Sequence, residues 1–294
     1  MTVPANTWKK LKSAEINQDM VAFRDETELA DHLKSLPDCE TRVIGQSRAG
    51  RAVYGMRFGR GKQQVSIVAG SHADEPTGPM TAQALPLLLA EYAPQLLERC
   101  RFHVLPQINP DGAEANRPWF SPVPDFQTYH RKAAREQPGD DIEFGFATDA
   151  GARPECRAAL AFLLQPHAPF VAHFSLHGMA YCDGAWFLLC KEWAERAQPL
   201  FGKLAELCEA VELPLHDIDR LGEKGFTRIC PGFSTTPTAT AMRQFFAGDP
   251  DMAARFRPSS MEAVAAMGGG PLCMVSELPL FLIDGGEDRF DAPR

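Results

Sequence analysis

The chain has 294 residues, 45% of them hydrophobic and 23% charged, with a net charge of −8 and a pI near 5.5. These values exclude a chain that is disordered throughout, and the acidic balance argues against nucleic acid or a membrane surface as a partner. No apolar run reaches the roughly 18 residues of a membrane span, and the N-terminus lacks the apolar stretch of a signal peptide. We therefore expect a cytoplasmic protein.

The chain shows no internal repeat and no low-complexity linker, so we treat residues 1–294 as one domain. Residues 1–40 are interpreted as a helical extension packed on that domain, because VAFRDETELADHLKSL places apolar residues at helical spacing. The eight cysteines are scattered without CxxC pairs, which favours reduced core thiols over disulfides or a sulfur-ligated metal.

The first strands are predicted in TRVIGQSRAGRAVYGMRFGRGKQQVSIVAG, residues 41–70, where three short strands are separated by SRAG and GRGK. GRGK contains two glycines, but it lacks the spacing and the following helix of a phosphate-binding loop. We therefore interpret GRGK as a hairpin turn.

Helices and strands alternate along the rest of the chain. PMTAQALPLLLAEYAPQLL is predicted to be a long helix despite its internal proline, and RFHVLPQI a strand. Residues 113–165 are irregular at first and then helical from about Pro154. Further strands are predicted in PFVAHFSLHG, AWFLLC and PLCMVSELP, with helices in WAERAQPLFGKLAELCEAVEL and SSMEAVAAM. This alternation indicates an α/β fold with a parallel or mixed sheet covered on both faces.

Polar residues follow three of the apolar strands. His72 and Glu75 come after QVSIVAG, His177 after HFSL, and Glu277 after CMVS. Strand ends can converge on one rim of a sheet, and two imidazoles with one carboxylate are a usual composition of a catalytic zinc site. Taken singly, His72 and Glu75 are a helix cap and a surface acid, His177 is a core histidine, and Glu277 caps a strand end. Together they favour a site, in which Glu277 is placed to exchange a proton with water.

The ordered motifs IGQSRAGRAVYGMRFGRG, GSHADEPTG, INPDG, SLHG and VSELP resemble the carboxypeptidase A-like family of zinc metallopeptidases over residues 43–279. The resemblance implies a three-layer α/β/α sandwich with a mixed sheet of roughly eight strands. It also implies one zinc ion per chain, bound by His72, Glu75 and His177. In this family Glu277 would be the general base that acts on a metal-bound water.

The resemblance further implies an arginine, downstream of INPDG, that polarises the scissile carbonyl. Arg117 is the preferred residue because of its short spacing from INPDG. Arg131 and Arg135 remain rivals for this role, and Arg131 is also a candidate for substrate binding.

The family's Asp-x-Asn-Arg stretch has its best match in GDDIEFGF. This match retains Asp141 as a partner for His72, but it places Glu143 and Phe144 where the family has Asn and Arg. A glutamate repels the carboxylate that an arginine fork would bind. We expect Glu143, together with Phe144, to accept a neutral or cationic part of the substrate, unless Glu143 is structural and another arginine anchors the substrate.

Three functions are weighed. The first is a zinc-dependent metallocarboxypeptidase-type hydrolase that cleaves an amide or peptide bond, with a peptide as its substrate. The second is a zinc deacylase of N-acyl amino acids, similar to aspartoacylase or desuccinylase enzymes. The third, a binding protein on the same scaffold, is disfavoured because the metal ligands and the general base are all retained.

Overall fold

One mixed sheet of nine strands runs through the part of the chain that the computed structural model describes, residues 22–120 and 124–283. The strands follow the order β1-β2-β4-β3-β5-β9-β6-β8-β7 across the sheet. They are β1 (Cys39–Gln46), β2 (Ala52–Phe58), β3 (Gln63–Ala69), β4 (Cys100–Leu105), β5 (Phe170–Cys182), β6 (Trp186–Leu189), β7 (Arg228–Cys230), β8 (Phe233–Thr235) and β9 (Leu272–Leu282).

Ten α-helices flank this sheet within the described ranges. They are α1 (Glu26–Ser35), α2 (Thr77–Tyr92), α3 (Pro94–Arg99), α4 (Pro110–Asn116), α5 (Phe126–Lys132), α6 (Pro154–Leu163), α7 (Gln198–Ala210), α8 (Ala239–Phe245), α9 (Pro250–Ala253) and α10 (Ser260–Ala266). None of these helices combines the length and the apolarity that crossing a bilayer requires.

Hydrophobic layers lie on both faces of the sheet. Successive residues of a strand point to opposite faces, and in β3 Ile67 packs in a cluster with α1 and α2 while Val68 packs in another with α6 and α10. The predicted α/β sandwich is confirmed, with nine strands where roughly eight were expected.

The predicted N-terminal helix is present as α1. Asp25 and Glu28 form a capping box at its start, and Leu29 and Leu33 are buried beneath it. Residues 1–21 of the expected extension lie outside the described residues. The long helix predicted after GSHADEPTG is divided into α2 and α3, because the chain leaves helical geometry at Ala93 and restarts at Pro94.

The interpretation of GRGK as a hairpin turn is wrong. Strands β2 and β3 do not pair with each other, because β4 lies between them and pairs with both. Residues 59–62 therefore cross the start of β4, where the amide of Gly61 donates to the Cys100 carbonyl at 3.1 Å. A Cβ atom on Gly61 would lie 1.8 Å from the carbonyl carbon of Arg99, so this crossing requires glycine.

The carboxylate of Asp111, in the INPDG motif, ties α4 to the SRAG turn between β1 and β2. It accepts hydrogen bonds from the Ser47 hydroxyl at 2.7 Å, the Ala49 amide at 3.0 Å and Arg51 Nη1 at 3.0 Å. Burial raises the pKa of Asp111, but these hydrogen bonds outweigh it and lower the pKa below its ordinary value.

Replacing Asp111 by Asn is expected to lower the free energy of unfolding by about 1–2 kcal/mol at pH 7. Because the folded-state pKa is depressed, the carboxylate's contribution is complete above the unfolded-state pKa and is lost as pH falls through the folded-state pKa. The difference in the free energy of unfolding between variant and wild type should therefore decrease toward pH 3. Urea unfolding at both pH values, with the exposed Asp251→Asn as control, measures this. A difference that stays constant with pH would contradict it.

Candidate active site

His72, Glu75 and His177 meet where β3 ends beside the middle of β5, its parallel neighbour in the sheet. His72 Nδ1 lies 2.9 Å from Glu75 Oε1, and His177 Nδ1 lies 3.0 Å from Glu75 Oε2. The two Nδ1 atoms are 3.2 Å apart. The two Nδ1 atoms and the two oxygens of Glu75 thus face one point, although His72 and His177 are 105 positions apart in the sequence.

These donors fit a zinc ion. Zinc binds imidazole nitrogen and carboxylate oxygen at about 2.0–2.2 Å in tetrahedral geometry, which separates neighbouring donor atoms by roughly 3.3 Å. The separations of 2.9–3.2 Å among His72, Glu75 and His177 are close to that value. Two imidazoles and one carboxylate also leave a fourth coordination position for water or substrate.

The GSHADEPTG turn brings its ligands to β5 because its last glycine permits close approach. A Cβ atom on Gly78 would lie 2.2 Å from the carbonyl oxygen of Leu176, so a side chain there would push the start of α2 away from β5. Glu75 Oε2 also accepts the amide hydrogen of Gly178 at 3.1 Å, which fixes the carboxylate against the strand.

Two groups contact the outer nitrogen of His177. Its Nε2 lies 2.8 Å from the Ser175 hydroxyl and 3.1 Å from Glu143 Oε2. With Nδ1 directed at the ligand cluster, Nε2 carries the hydrogen and donates it outward. Burial raises the pKa of Glu143, but the charge and hydrogen bond of His177, with the charge of His72 and a hydrogen bond from Ser71, together outweigh it and lower the pKa.

Glu277 lies beside the ligand cluster because β9 pairs with β5 in parallel register. His177 and Glu277 are direct register partners, so their side chains are on the same face of the sheet. Withdrawal from water beside Glu75 and Glu143 raises the pKa of Glu277 to about 8.

The arginine that reaches this cluster is Arg135, which corrects the preference for Arg117. Arg135 Nη1 donates to Glu75 Oε1 at 2.9 Å and to Asp74 Oδ1 at 3.0 Å. Arg117 ends α4 and pairs instead with Asp25 at 3.3 Å and with Glu114 at 3.8 Å. Spacing from INPDG could not decide between them, because the route of the irregular segment is set by tertiary contacts.

Phe144 and Arg131 do not join the cluster. Phe144 is buried and packs edge-to-face on Phe256 at 5.7 Å, so the substrate-binding role expected for it is wrong. Arg131 is exposed on α5. Glu143 faces His177 rather than open solvent, and the expectation that it accepts part of the substrate stays a prediction.

Asp141 lies within electrostatic range of His72, although no hydrogen bond joins the two among the described residues. Burial raises the pKa of Asp141, the charge of His72 lowers it, and Glu143 raises it, with a net increase. The expected role of Asp141 as the partner that orients His72 therefore stays a prediction.

A buried ion-pair network holds the irregular segment that supplies Arg135 and Glu143. Arg153 Nη2 donates to Glu155 Oε1 at 2.9 Å, and its Nη1 lies 3.3 Å from Glu136 Oε1. Glu136 also accepts a hydrogen bond from Asn109 in the INPDG motif at 2.6 Å. These contacts connect residues 133–155 to the end of β4 without regular secondary structure.

The structure adds contacts that sequence reasoning missed. Asp74 accepts a hydrogen bond from the Tyr129 hydroxyl at 2.9 Å, in addition to the one from Arg135. Tyr129 also packs against Tyr181 and Phe281, the paired residues four positions beyond His177 and Glu277. Strand alternation could have identified Ser175, two residues before His177, but no sequence signal links Asp74 to Tyr129.

Comparison with known proteins agrees with this geometry. The sequence model described as zinc carboxypeptidase matches residues 27–182, a little over half of the chain, including the two histidines and Glu75. The chain therefore belongs to the zinc carboxypeptidase family of metallopeptidases. A search of curated proteins gives no significant match.

Solved structures share the fold. A metallo-carboxypeptidase from Burkholderia cenocepacia is 16% identical with a TM-score of 0.52; the alignment covers 86% of this chain and 58% of that one. The present chain thus spans 58% of the length of that relative. Bovine thrombin-activatable fibrinolysis inhibitor, in complex with tick carboxypeptidase inhibitor, is 14% identical with a TM-score of 0.56, and the alignment covers 88% of this chain and 87% of that one.

Proposed function

We propose that this chain is a zinc-dependent amide hydrolase of the metallocarboxypeptidase type. The observation that carries the proposal is the convergence of both Nδ1 atoms and the Glu75 carboxylate at one point, with Glu277 in register beside them. One zinc ion per chain, held by His72, Glu75 and His177, would supply a Lewis acid and lower the pKa of water.

Glu277 takes the proton of the attacking water and returns it to the leaving amine. Burial beside other acids raises the pKa of Glu277, which makes its carboxylate a stronger proton acceptor for the first transfer. Its position on the face of the sheet shared with His177 places it beside the reacting atoms.

Arg135 binds the carbonyl oxygen of the scissile amide and stabilises the negative charge that develops there. Its contacts with Asp74 and Glu75 use Nη1, and its Nε and Nη2 donate to none of the described residues. Nearly half of the side chain is exposed, so these remaining donors can reach a substrate.

Cleavage of N-acyl amino acids is the second candidate, kept because Glu143 and Phe144 depart from the family's Asn-Arg pair. Glu143 contacts His177, and Phe144 belongs to the core, so neither replaces an arginine that grips a C-terminal carboxylate. The acids Asp74, Asp141 and Glu143 also surround the cluster with negative charge. Recognition of a free C-terminus therefore has less support than hydrolysis of an amide.

Metal analysis with two variants tests the hydrolase proposal. Purified protein is expected to contain one zinc per chain, and His177→Ala should abolish zinc binding while His32→Ala on α1 retains it. Glu277→Gln should keep zinc but lower kcat about 10²–10⁴-fold, because the proton acceptor is removed. Glu206→Gln, an exposed glutamate, is the control for the charge change. Unaltered kcat in Glu277→Gln, or wild-type protein without tightly bound zinc, would refute the proposal.

A substrate panel separates the two candidate functions. Peptides with free C-termini, the same peptides amidated, and N-acyl amino acids are compared by kcat/KM. We expect amidation to change kcat/KM less than about tenfold, since no arginine fork occupies the family's position. A loss much larger than tenfold on amidation would show that another group binds the carboxylate. Activity confined to N-acyl amino acids would establish the second candidate.

Glu143 is expected to act by positioning His177. Glu143→Gln should weaken zinc binding by about 10–100-fold, because the carboxylate no longer faces the imidazole N–H. Competition with a chromophoric chelator measures this affinity, with Glu206→Gln as the control. Once the variant is loaded with zinc, its loss of kcat/KM should be equal across neutral and cationic substrates. Selective loss of cationic substrates would instead assign Glu143 to substrate binding.

A further inference from the structure

A basic groove lies at the opposite end of the sheet from the candidate active site. Its cavity volume is about 440 Å³. Along β3, the distance from Gln64 at the groove to Ala69 next to the GSHADEPTG turn is about 17 Å. The residues that line the groove are Arg57, Arg60, Gln64, Arg101, His103 and Gln165 with the adjoining residues 166–168.

Arginines outnumber acids around this groove, although the whole chain has a net charge of −8. Glu40 is shared by Arg57 at 4.0 Å and Arg101 at 3.7 Å, neither of which is a close hydrogen bond. Arg60 pairs with Glu98 at 3.1 Å, and Arg42 lies beside Arg57. Local positive charge of this kind attracts an anion.

Two guanidinium groups compete for one neutral acceptor. Arg42 and Arg57 both donate to Oε1 of Gln165, and both lie over the ring of Phe162, at 5.5 Å and 4.8 Å from its centroid. Arg42 Nε is buried with no hydrogen-bond partner among the described residues. Arg42 is not among the residues that line the groove, but its charge adds to that of Arg57, and the oxygens of an anion in the groove would accept hydrogen bonds from the lining arginines together.

Arg57 is held in a fixed orientation by a neutral histidine. Its Nε donates to His103 Nδ1 at 3.3 Å, and His103 Nε2 lies 2.8 Å from Oε1 of Gln64. Burial, with the charges of Arg57 and Arg101, lowers the pKa of His103 to about 4. His103 therefore accepts from Arg57 and donates to Gln64, which leaves the outer guanidinium nitrogens of Arg57 directed away from the histidine.

The GRGK segment forms the rim of the groove. The Arg60 amide donates to the Leu97 carbonyl at 2.8 Å and the Gly61 amide to the Cys100 carbonyl, so the backbone that carries Arg60 is fixed next to Arg101. Although GRGK is not a phosphate-binding loop, its crossing over β4 brings these arginines to one groove. Pro166 and Ala168 supply an apolar wall.

We propose that this groove binds the phosphate group of a small phosphorylated molecule. Several guanidinium forks suit a compact dianion with three or more acceptor oxygens better than they suit a single carboxylate. The cavity is larger than a phosphate ion and falls within the range of small-molecule sites. This site is separate from the metal ligands and does not depend on the proposed hydrolase function.

Isothermal titration of the full chain with inorganic phosphate and with glucose 6-phosphate tests the proposal, with glucose as the uncharged control. Both phosphates should bind saturably, glucose 6-phosphate more tightly, and binding should weaken as salt increases. Arg57→Gln should lower the association constant about tenfold or more, whereas Lys203→Gln, an equal charge loss at an exposed site on α7, should leave it unchanged.

His177→Ala distinguishes the groove from the metal centre, since phosphate can also bind zinc. Binding that survives His177→Ala and is lost in Arg57→Gln supports the proposal. Binding lost in His177→Ala but kept in Arg57→Gln overturns it, as does the absence of saturable binding in the wild type. If thermal melting shows that Arg57→Gln does not fold, Arg101→Gln, whose side chain is 40% exposed, takes its place with the same expected loss.

Discussion

The parallel pairing of β3 with β5 is the constraint on which the candidate active site depends. It places the turn after β3 against His177, so that two Nδ1 atoms and a carboxylate approach within 3.2 Å of one another. Glu75 and His177 are almost fully buried, and isolated charges at such positions would be costly. The neighbouring charges offset that cost: Arg135 contacts Glu75, and Glu143 contacts the far side of His177. Arg135, the two glutamates and His177 therefore stabilise one another. The spacing of their donor atoms also fits a divalent ion.

The two ends of the sheet have opposite charge. At the carboxyl ends of the parallel strands, carboxylates surround the metal ligands and Arg135 is the cation that contacts them within the described residues. At the other end, arginines cluster around Phe162 and Gln165. Such a separation lets one sheet carry two sites, because the strands between them are covered by apolar layers on both faces. The residues of the candidate active site and those that line the basic groove are therefore distinct.

The segment between α5 and α6 supplies two charged side chains that contact the candidate active site. It has almost no regular structure, yet Arg153, Glu155 and Glu136 fix it through a buried ion-pair network. That network lets the segment present Arg135 to Glu75 on one side and Glu143 to His177 on the other. Where the family pattern has a substrate-gripping arginine, Phe144 fills the core. This stretch therefore presents a carboxylate to His177 and a phenylalanine to the core, and the proposed substrate preference rests on those two contacts.

The fold class and the His72, Glu75 and His177 set could be read from the sequence because they rest on local signals. Apolar strands have a visible period, and the polar residues that interrupt or follow them were identifiable, although His177 and Glu277 lie within β5 and β9 rather than after them. The sequence also allowed Glu277 to be identified, because it follows the apolar run CMVS. The sequence could not predict that Arg135 reaches the cluster, that Glu143 contacts His177, or how GRGK runs. Each of these depends on contacts between segments far apart in the chain. In the sequence, residues 59–62 resemble a hairpin turn between β2 and β3. In the structure β4, which comes about forty residues later, lies between those two strands. Spacing likewise favours Arg117, whereas a buried network draws Arg135 to Glu75. Periodicity is a property of neighbouring residues, but the meeting of distant charges is decided by tertiary packing alone.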